Sequence, residues 1–219
     1  MWTGGTLFVA SLALTVWWYA FVLGDQIPSP DWGALAFDVG LFTGFALHHS
    51  VFARESIKDA IARVTSERLV RPIYVWTSSL LLIMVCLLWR PIGGEIYRAT
   101  GWAALPFASV QLFGLLFTAA AVRLIDPLEL AGIRVSSTGE TLQIRGPYGL
   151  VRHPFYLGWM VMVFGAAHMT GDRLAFATIS SAYLVIAIPF EERALERRLG
   201  EAYRSYKELV AARLLPYVF

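Results

Sequence analysis

The stretch RGPYGLVRHPFYLG, residues 145–158, concentrates two arginines, a histidine, two tyrosines and two prolines between hydrophobic runs. Bare lipid does not tolerate such groups, so they mark a polar site at the rim of a membrane. Gly146-Pro147 signals a loop, and Pro154 suits the first turn of a helix. A helix starting there leaves unbonded N–H groups and a positive dipole end beside His153, a setting that favours a carboxylate or a phosphate. The plainer alternative is a set of cations flanking a span. A second group, Glu191-Glu192, stands where the last apolar run ends. A carboxylate there could hold an ammonium or a sulfonium group, with Tyr203 and Tyr206 as aromatic walls; the alternative is a solvated helix face paired with nearby arginines. A third group is His48-His49-Ser50 with Arg54, preceded in the same run by Asp38, an intramembrane acid.

The elements that must position these groups are membrane helices. The chain has 219 residues, 57% hydrophobic and 16% charged, against roughly 45–50% and about 25% in soluble domains. A crossing needs about 20 mostly apolar residues. Six runs qualify as candidates: Thr6–Leu23, Gly33–Ala53, Pro72–Trp89, Trp102–Val122, Pro154–Met169 and Leu174–Pro189. The last two are short and separated by Gly171-Asp172-Arg173, which reads as two tilted helices or a re-entrant hairpin. Trp2, Trp17, Trp18, Tyr19, Trp32, Trp89 and Trp102 fall near run ends, as interfacial aromatic belts do. The predicted class is all-α: a polytopic integral membrane protein with about six spans and a cytoplasmic C-terminal helix over Glu191–Lys207. A single domain over 1–219 is expected, with four spans in 1–122 and the polar groups mostly in 123–219. Ser136–Ile144 reads as a turn and a short extended piece around Gly139.

Segments 54–71, 123–153 and the C-terminal tail carry fifteen of the eighteen Lys and Arg residues; the opposite loops hold Arg90, Arg98 and Arg173. The rule that cytoplasmic loops are basic places both termini and the polar groups in the cytoplasm. No Lys or Arg precedes the first apolar run, which reads as a retained span rather than a cleaved signal.

A net charge of +2 implies no nucleic-acid partner. The lone Cys86 excludes an intramolecular disulfide and lies in an apolar run, as a small buried residue does. Metal binding is not expected, because adjacent His48 and His49 point to different faces of a helix and no HExxH or cysteine cluster exists. No GxSxG elbow, P-loop or GxGxxG is present, so a nucleotide-like cofactor would not be held by a Rossmann or P-loop unit.

GPYGLVRHPFYLGW followed by EERALERRLGEAYRSY resembles the C-terminal signature of membrane methyltransferases related to isoprenylcysteine carboxyl methyltransferase and the phospholipid N-methyltransferases. HHSVFAR, RPIYVWTSSL, DPLELAGIR and HMTGDRLAFA resemble segments of bacterial methanethiol S-methyltransferases and NnrU-type membrane proteins. The chain departs from that pattern at Val70, where an acidic residue is usual, and near Val210, where a proline is usual. The resemblance implies an S-adenosylmethionine (SAM)-dependent methyltransferase with Tyr148, His153, Tyr156 and Glu192 on the cofactor. Val151, Leu157, Glu191 and Tyr203 join them as cofactor-binding candidates. Arg152 would orient the site, and His49 and Arg54 would serve the acceptor. The expected acceptor is a small thiol taken to a thioether. An isoprenylcysteine carboxylate or a lipid amine is the alternative acceptor; an NADPH-dependent membrane reductase or a non-enzymatic NnrU-like accessory is the alternative role.

Overall fold

The computed structural model describes residues 2–25, 30–52, 54–125 and 142–215. DPLELAGIR and most of the segment expected to turn at Gly139 lie outside the described residues. Among the described residues, five helices are long and apolar enough to cross a bilayer: Gly4–Val22, Trp32–Phe52, Leu69–Leu88, Gly101–Leu124 and Gly171–Leu199. The chain divides into two compact units. The first takes in the described residues up to 96 and 169–176; the second takes in 97–125, 142–168 and 177–215.

In the first unit, α1 (Trp2–Trp17) runs into a π-helical turn, Trp18–Val22. It is followed by α2 (Trp32–Phe52), a short amphipathic α3 (Glu55–Val64) and α4 (Glu67–Leu88). The aromatic core centres on Phe176, whose ring meets Trp18 at 5.2 Å, Trp89 at 5.7 Å and Phe42 at 5.9 Å. A π turn widens the helix and frees carbonyls from the usual ladder. Arg173 uses them: its Nε donates to Tyr19 O at 3.1 Å, and a terminal nitrogen donates to Ala20 O. Asp172 accepts from Trp89 Nε1 (3.0 Å), Ile92 N–H (2.9 Å) and Gly93 N–H (3.0 Å), while Asp38 accepts from Arg90 N–H (3.0 Å). These two fully buried acids therefore pin the loop after α4, where Gly93 and Gly94 adopt φ of 80° and 81°.

In the second unit, α5 (Ala104–Leu124) packs against α6 (Pro154–Phe164). Small residues set the approach: a Cβ on Gly114 would lie 2.5 Å from Met162 N, and one on Gly158 would lie 2.8 Å from Gly114 O. Close backbone contact through small residues is how helices associate without a hydrophobic driving force. The contacts Gly114–Met162, Gly158–Thr118 and Gly165–Val110 run in opposite directions along the two helices, so the pair is antiparallel.

Of the two last runs, expected to be short, the fifth is so. The fifth run, Pro154–Met169, is helical only for the 11 residues of α6, about 16 Å against a hydrocarbon core of about 30 Å. Residues 165–167 lie outside the helix, and the carbonyls of 166 and 167 have other partners. Tyr97 Oη donates to Ala166 O at 3.0 Å, and Ala99 N–H donates to Ala167 O at 2.8 Å. The backbone there is covered, with Ala166 1% exposed, as non-helical chain at membrane depth requires. Strands β1 (Glu95–Arg98) and β2 (His168–Thr170) form a two-stranded sheet, a minor departure from the all-α expectation.

The last run, by contrast, is not short. Helix α7 (Gly171–Leu199) has 29 residues and passes through Pro189 unbroken. The predicted tail helix is instead divided at Gly200, whose φ of 57° ends α7 before α8 (Glu201–Leu209) begins. Tyr203, Tyr206 and Val210 then bury against Leu142, Leu195 and Leu199.

Candidate active site

Within the second unit the two C-terminal motifs meet. A 3-10 turn over Gly146–Gly149 leads to Arg152 and His153, and α6 starts at Pro154 as its sequence predicts. Arg152 and His153 are buried, 9% and 6% exposed. Arg152 Nε donates to Glu192 Oε1 at 2.7 Å, and its Nη1 donates to the carbonyls of Val210 (2.8 Å) and Ala211 (2.6 Å). The main chain follows suit: Arg152 N–H donates to Ala212 O and His153 N–H to Arg213 O, both at 2.9 Å. Residues 210–213 are thus strapped along the Arg-His-Pro loop.

The imidazole of His153 lies between the two acids. Its Nε2 is 3.4 Å from Glu192 Oε1, and its Nδ1 is 3.6 Å from Glu191 Oε2. Its ring stacks on Tyr156 at 5.3 Å, and Tyr156 Oη donates to Glu191 Oε2 at 2.6 Å. Arg213 Nε closes the row, 3.3 Å from Glu192 Oε2. The glutamates adjacent in sequence therefore have different surroundings. The Glu192 side chain is 6% exposed, and its charge is matched by Arg152, Arg213 and the His153 ring; that of Glu191 is 45% exposed. A buried charge needs such partners, because an uncompensated one costs several kcal/mol.

Phenols surround the pair. Tyr206 Oη donates to Tyr148 O at 2.7 Å. Burial, reinforced by Glu191 and Tyr206, pushes the Tyr148 phenol up to about 12. Burial likewise raises Tyr206 to about 12 and Tyr203 further still. All three remain neutral donors through the physiological range.

The structure brings Tyr148, Val151, Arg152, His153, Tyr156, Leu157, Glu191, Glu192 and Tyr203 into one unit. Val151 is fully buried and Leu157 half-buried. Tyr203 and Tyr206 are 2% and 4% exposed, so they support the site as core residues rather than as open aromatic walls. His49 and Arg54 belong to the first unit. There the Tyr74 hydroxyl lies 2.9 Å from His49 Nδ1, while Arg54 is exposed and its carbonyl accepts from the N–H groups of Ile57 and Lys58. Asp38, a candidate by its place in a span, holds the Arg90 amide. Tyr74 lies in RPIYVWTSSL but is not singled out there as a site residue. Arg213 reads in sequence only as one more basic residue of the tail. Among the described residues, no group of three or more His, Cys, Asp or Glu is placed to hold a metal ion.

Apolar membrane helices carrying a charge-paired site at the end of α7 define an integral membrane protein with a built polar centre. The chain is 32% identical over 194 residues to methanethiol S-methyltransferase 2 of Bradyrhizobium diazoefficiens, covering 85% of this chain and 74% of that one. It is 34% identical over 194 residues to the methanethiol S-methyltransferase of Crocosphaera subtropica, covering 84% and 76%. Nurim of Sus scrofa is more distant, 26% identical over 195 residues, covering 81% and 72%. No family model matches the chain, and no solved structure does. The chain belongs to the methanethiol S-methyltransferase family and is a membrane methyltransferase.

Proposed function

We propose that this methyltransferase uses SAM and methylates a small thiol such as methanethiol to a thioether. The observation that carries the reading is the Arg152–His153–Glu191–Glu192 cluster in a chain of this family. The donor set fits the cofactor. A half-exposed carboxylate, Glu191, sits against the stacked His153 and Tyr156 rings and suits a cation. When bound, SAM supplies an electrophilic methyl group on a sulfonium. The chain's residues then need chiefly to align donor and acceptor and to exclude water, which supplies much of a displacement's rate. Glu192 has its charge matched within the protein, so in this reading it positions Arg152 and His153 while Glu191 and Tyr156 face the ligand. Tyr148, Val151, Leu157 and Tyr203 complete the walls.

A thiol reacts as its thiolate, so an acceptor site must ease loss of the proton. His49, held by the Tyr74 hydroxyl, and Arg54 are the acceptor-side residues we assign, on the strength of the HHSVFAR motif. The concentration of basic residues in 54–71 and the tail supports a cytoplasmic face for the site, where SAM is made.

The test is transfer of labelled methyl from SAM to methanethiol, a longer alkyl thiol, a farnesyl-cysteine analogue and phosphatidylethanolamine. Turnover of a thiol is expected. Turnover of the cysteine analogue or the lipid with no thiol turnover overturns the acceptor assignment; no transfer to any of the four overturns the function.

A further inference from the structure

Helix α7 carries an exposed stripe that changes character along its length. Ile186 and Phe190, 64% and 58% exposed, face outward on the apolar part of the helix. At about 100° per residue, Arg193 and Arg197 fall on the same face, within about 60° of Phe190, and both are exposed. The stripe passes from apolar to basic within one turn, as a helix does where it leaves the acyl chains for the headgroups. The Arg193 guanidinium lies over the Phe190 ring, 5.8 Å from its centroid, an arrangement that a cation and an aromatic face favour. The corner at Gly200 adds a third cation. Arg204 of α8 joins Arg193, Glu196 and Arg197 around one shallow concavity of about 300 Å³. The acid there is already engaged: Glu196 Oε1 meets Arg204 Nε at 3.2 Å, and its Oε2 meets Lys207 Nζ at 3.3 Å. Arg204 also meets Glu201 at 3.3 Å. Among the described residues, neither Arg193 nor Arg197 has an acidic partner. The corner therefore holds four cations against two acids, with two guanidinium groups open beside an apolar stripe.

We propose that Arg193 and Arg197 bind the phosphate of an anionic phospholipid, whose acyl chains lie along Phe190 and Ile186. The guanidinium fork matches phosphate oxygens, and the continuity of the two arginines with the apolar stripe selects a lipid over a soluble anion. An arginine at the membrane surface strengthens attachment of an anionic headgroup by about fivefold. The site stands apart from the Arg152–His153–Glu192 row and does not depend on which methyl donor or acceptor the protein uses. Arg193 follows Glu191 by two residues, so a bound headgroup fixes the depth at which the end of α7 leaves the bilayer and with it the level of the polar cluster.

Native mass spectrometry of the full-length protein in detergent, titrated with phosphatidylglycerol or with phosphatidylcholine, reads the site directly. One phosphatidylglycerol is expected to bind at least about tenfold more tightly than phosphatidylcholine. Arg193→Gln and Arg197→Gln should each weaken phosphatidylglycerol about fivefold and the double variant about 25-fold, with phosphatidylcholine unchanged. Arg63→Gln removes the same charge from an exposed position on α3 and should leave binding as it is. If the double variant does not fold, as judged by thermal melting, the two single variants carry the comparison. Equal weakening by Arg63→Gln shows diffuse attraction to the basic surface and overturns the site, as does the absence of any preference for phosphatidylglycerol. Inorganic phosphate that binds with the same arginine dependence, in place of phosphatidylglycerol, overturns the lipid as occupant.

Discussion

Glu192→Gln tests what holds the Arg-His-Pro loop in place. The substitution keeps the shape and one acceptor oxygen but removes the charge opposite Arg152 and Arg213. Removing one partner of a buried ion pair typically costs about 3–5 kcal/mol. Two features reduce that here. Arg152 keeps its donations to the Val210 and Ala211 carbonyls, and Arg213 is exposed enough to be solvated. A loss of about 2–3 kcal/mol in local stability is the expected remainder, which converts to a change of roughly 30- to 150-fold in an opening equilibrium. The readout is amide hydrogen exchange. The Arg152 and His153 amides are closed by Ala212 O and Arg213 O at 2.9 Å, so their exchange should accelerate by that factor. If SAM is the cofactor, as proposed, its affinity should fall at least about tenfold in parallel, because the loop that shapes the site has loosened. Glu191→Gln is the control and should leave those two amides protected. Unchanged exchange in Glu192→Gln, or equal acceleration in Glu191→Gln, would show that the buried ion pair does not fasten the strap.

Further outcomes follow from other parts of the fold. Gly158→Ala puts a Cβ 2.8 Å from both Gly114 O and Thr118 N; backbone cannot yield there, so a loss of about 3 kcal/mol or more is expected in thermal melting of the α5–α6 pair, whereas Gly149→Ala, meeting Ile144 O at 3.3 Å, needs a shift of only a few tenths of an ångström and should cost less. Tyr148 and Tyr206 have folded pKa values raised to about 12. Their contribution is therefore fully present below about pH 10, the value for an unfolded phenol, and is lost as pH rises through about 12; ultraviolet titration should show these phenolates appearing only with unfolding. On a Cys86-free background, single cysteines in 54–71 and in the tail should label from the cytoplasmic side alone, and labelling of the tail from the other side would overturn the orientation.

The parts of this molecule that were legible in sequence are those with local causes. The start of α6 at Pro154 is one, because proline fits the first turn whatever surrounds it. The long apolar helices are another, since their extent follows from hydropathy. The end of α6 was not legible. Gly165-Ala166-Ala167 prolongs the apolar run, and only the donors at Tyr97 and Ala99, far off in sequence, draw those carbonyls out of the helix. The site shows the same division. Glu191 and Glu192 read as an undifferentiated doublet, yet neighbours on a helix point about 100° apart, and the structure buries one while exposing the other. Arg213 was invisible as a site residue because its place depends on main-chain bonds to Arg152 and His153, which no periodicity records.

The strap also has a consequence in time. Arg152 and the Val210 carbonyl that it bonds are 58 residues apart. At ordinary synthesis rates of about 5–20 residues per second, the loop is made about 3–12 s before its fastening exists. Glu192 follows Arg152 by 40 residues and the 210–211 carbonyls come later still; until then the Arg152 guanidinium must stay with water or lipid headgroups. The helices before it can insert and pack, but the polar centre forms last. A chain ending just after Leu209 would therefore be an inserted bundle with an open loop. A ligand present during synthesis would act on the final step of assembly and would leave the rates of the earlier insertions unchanged.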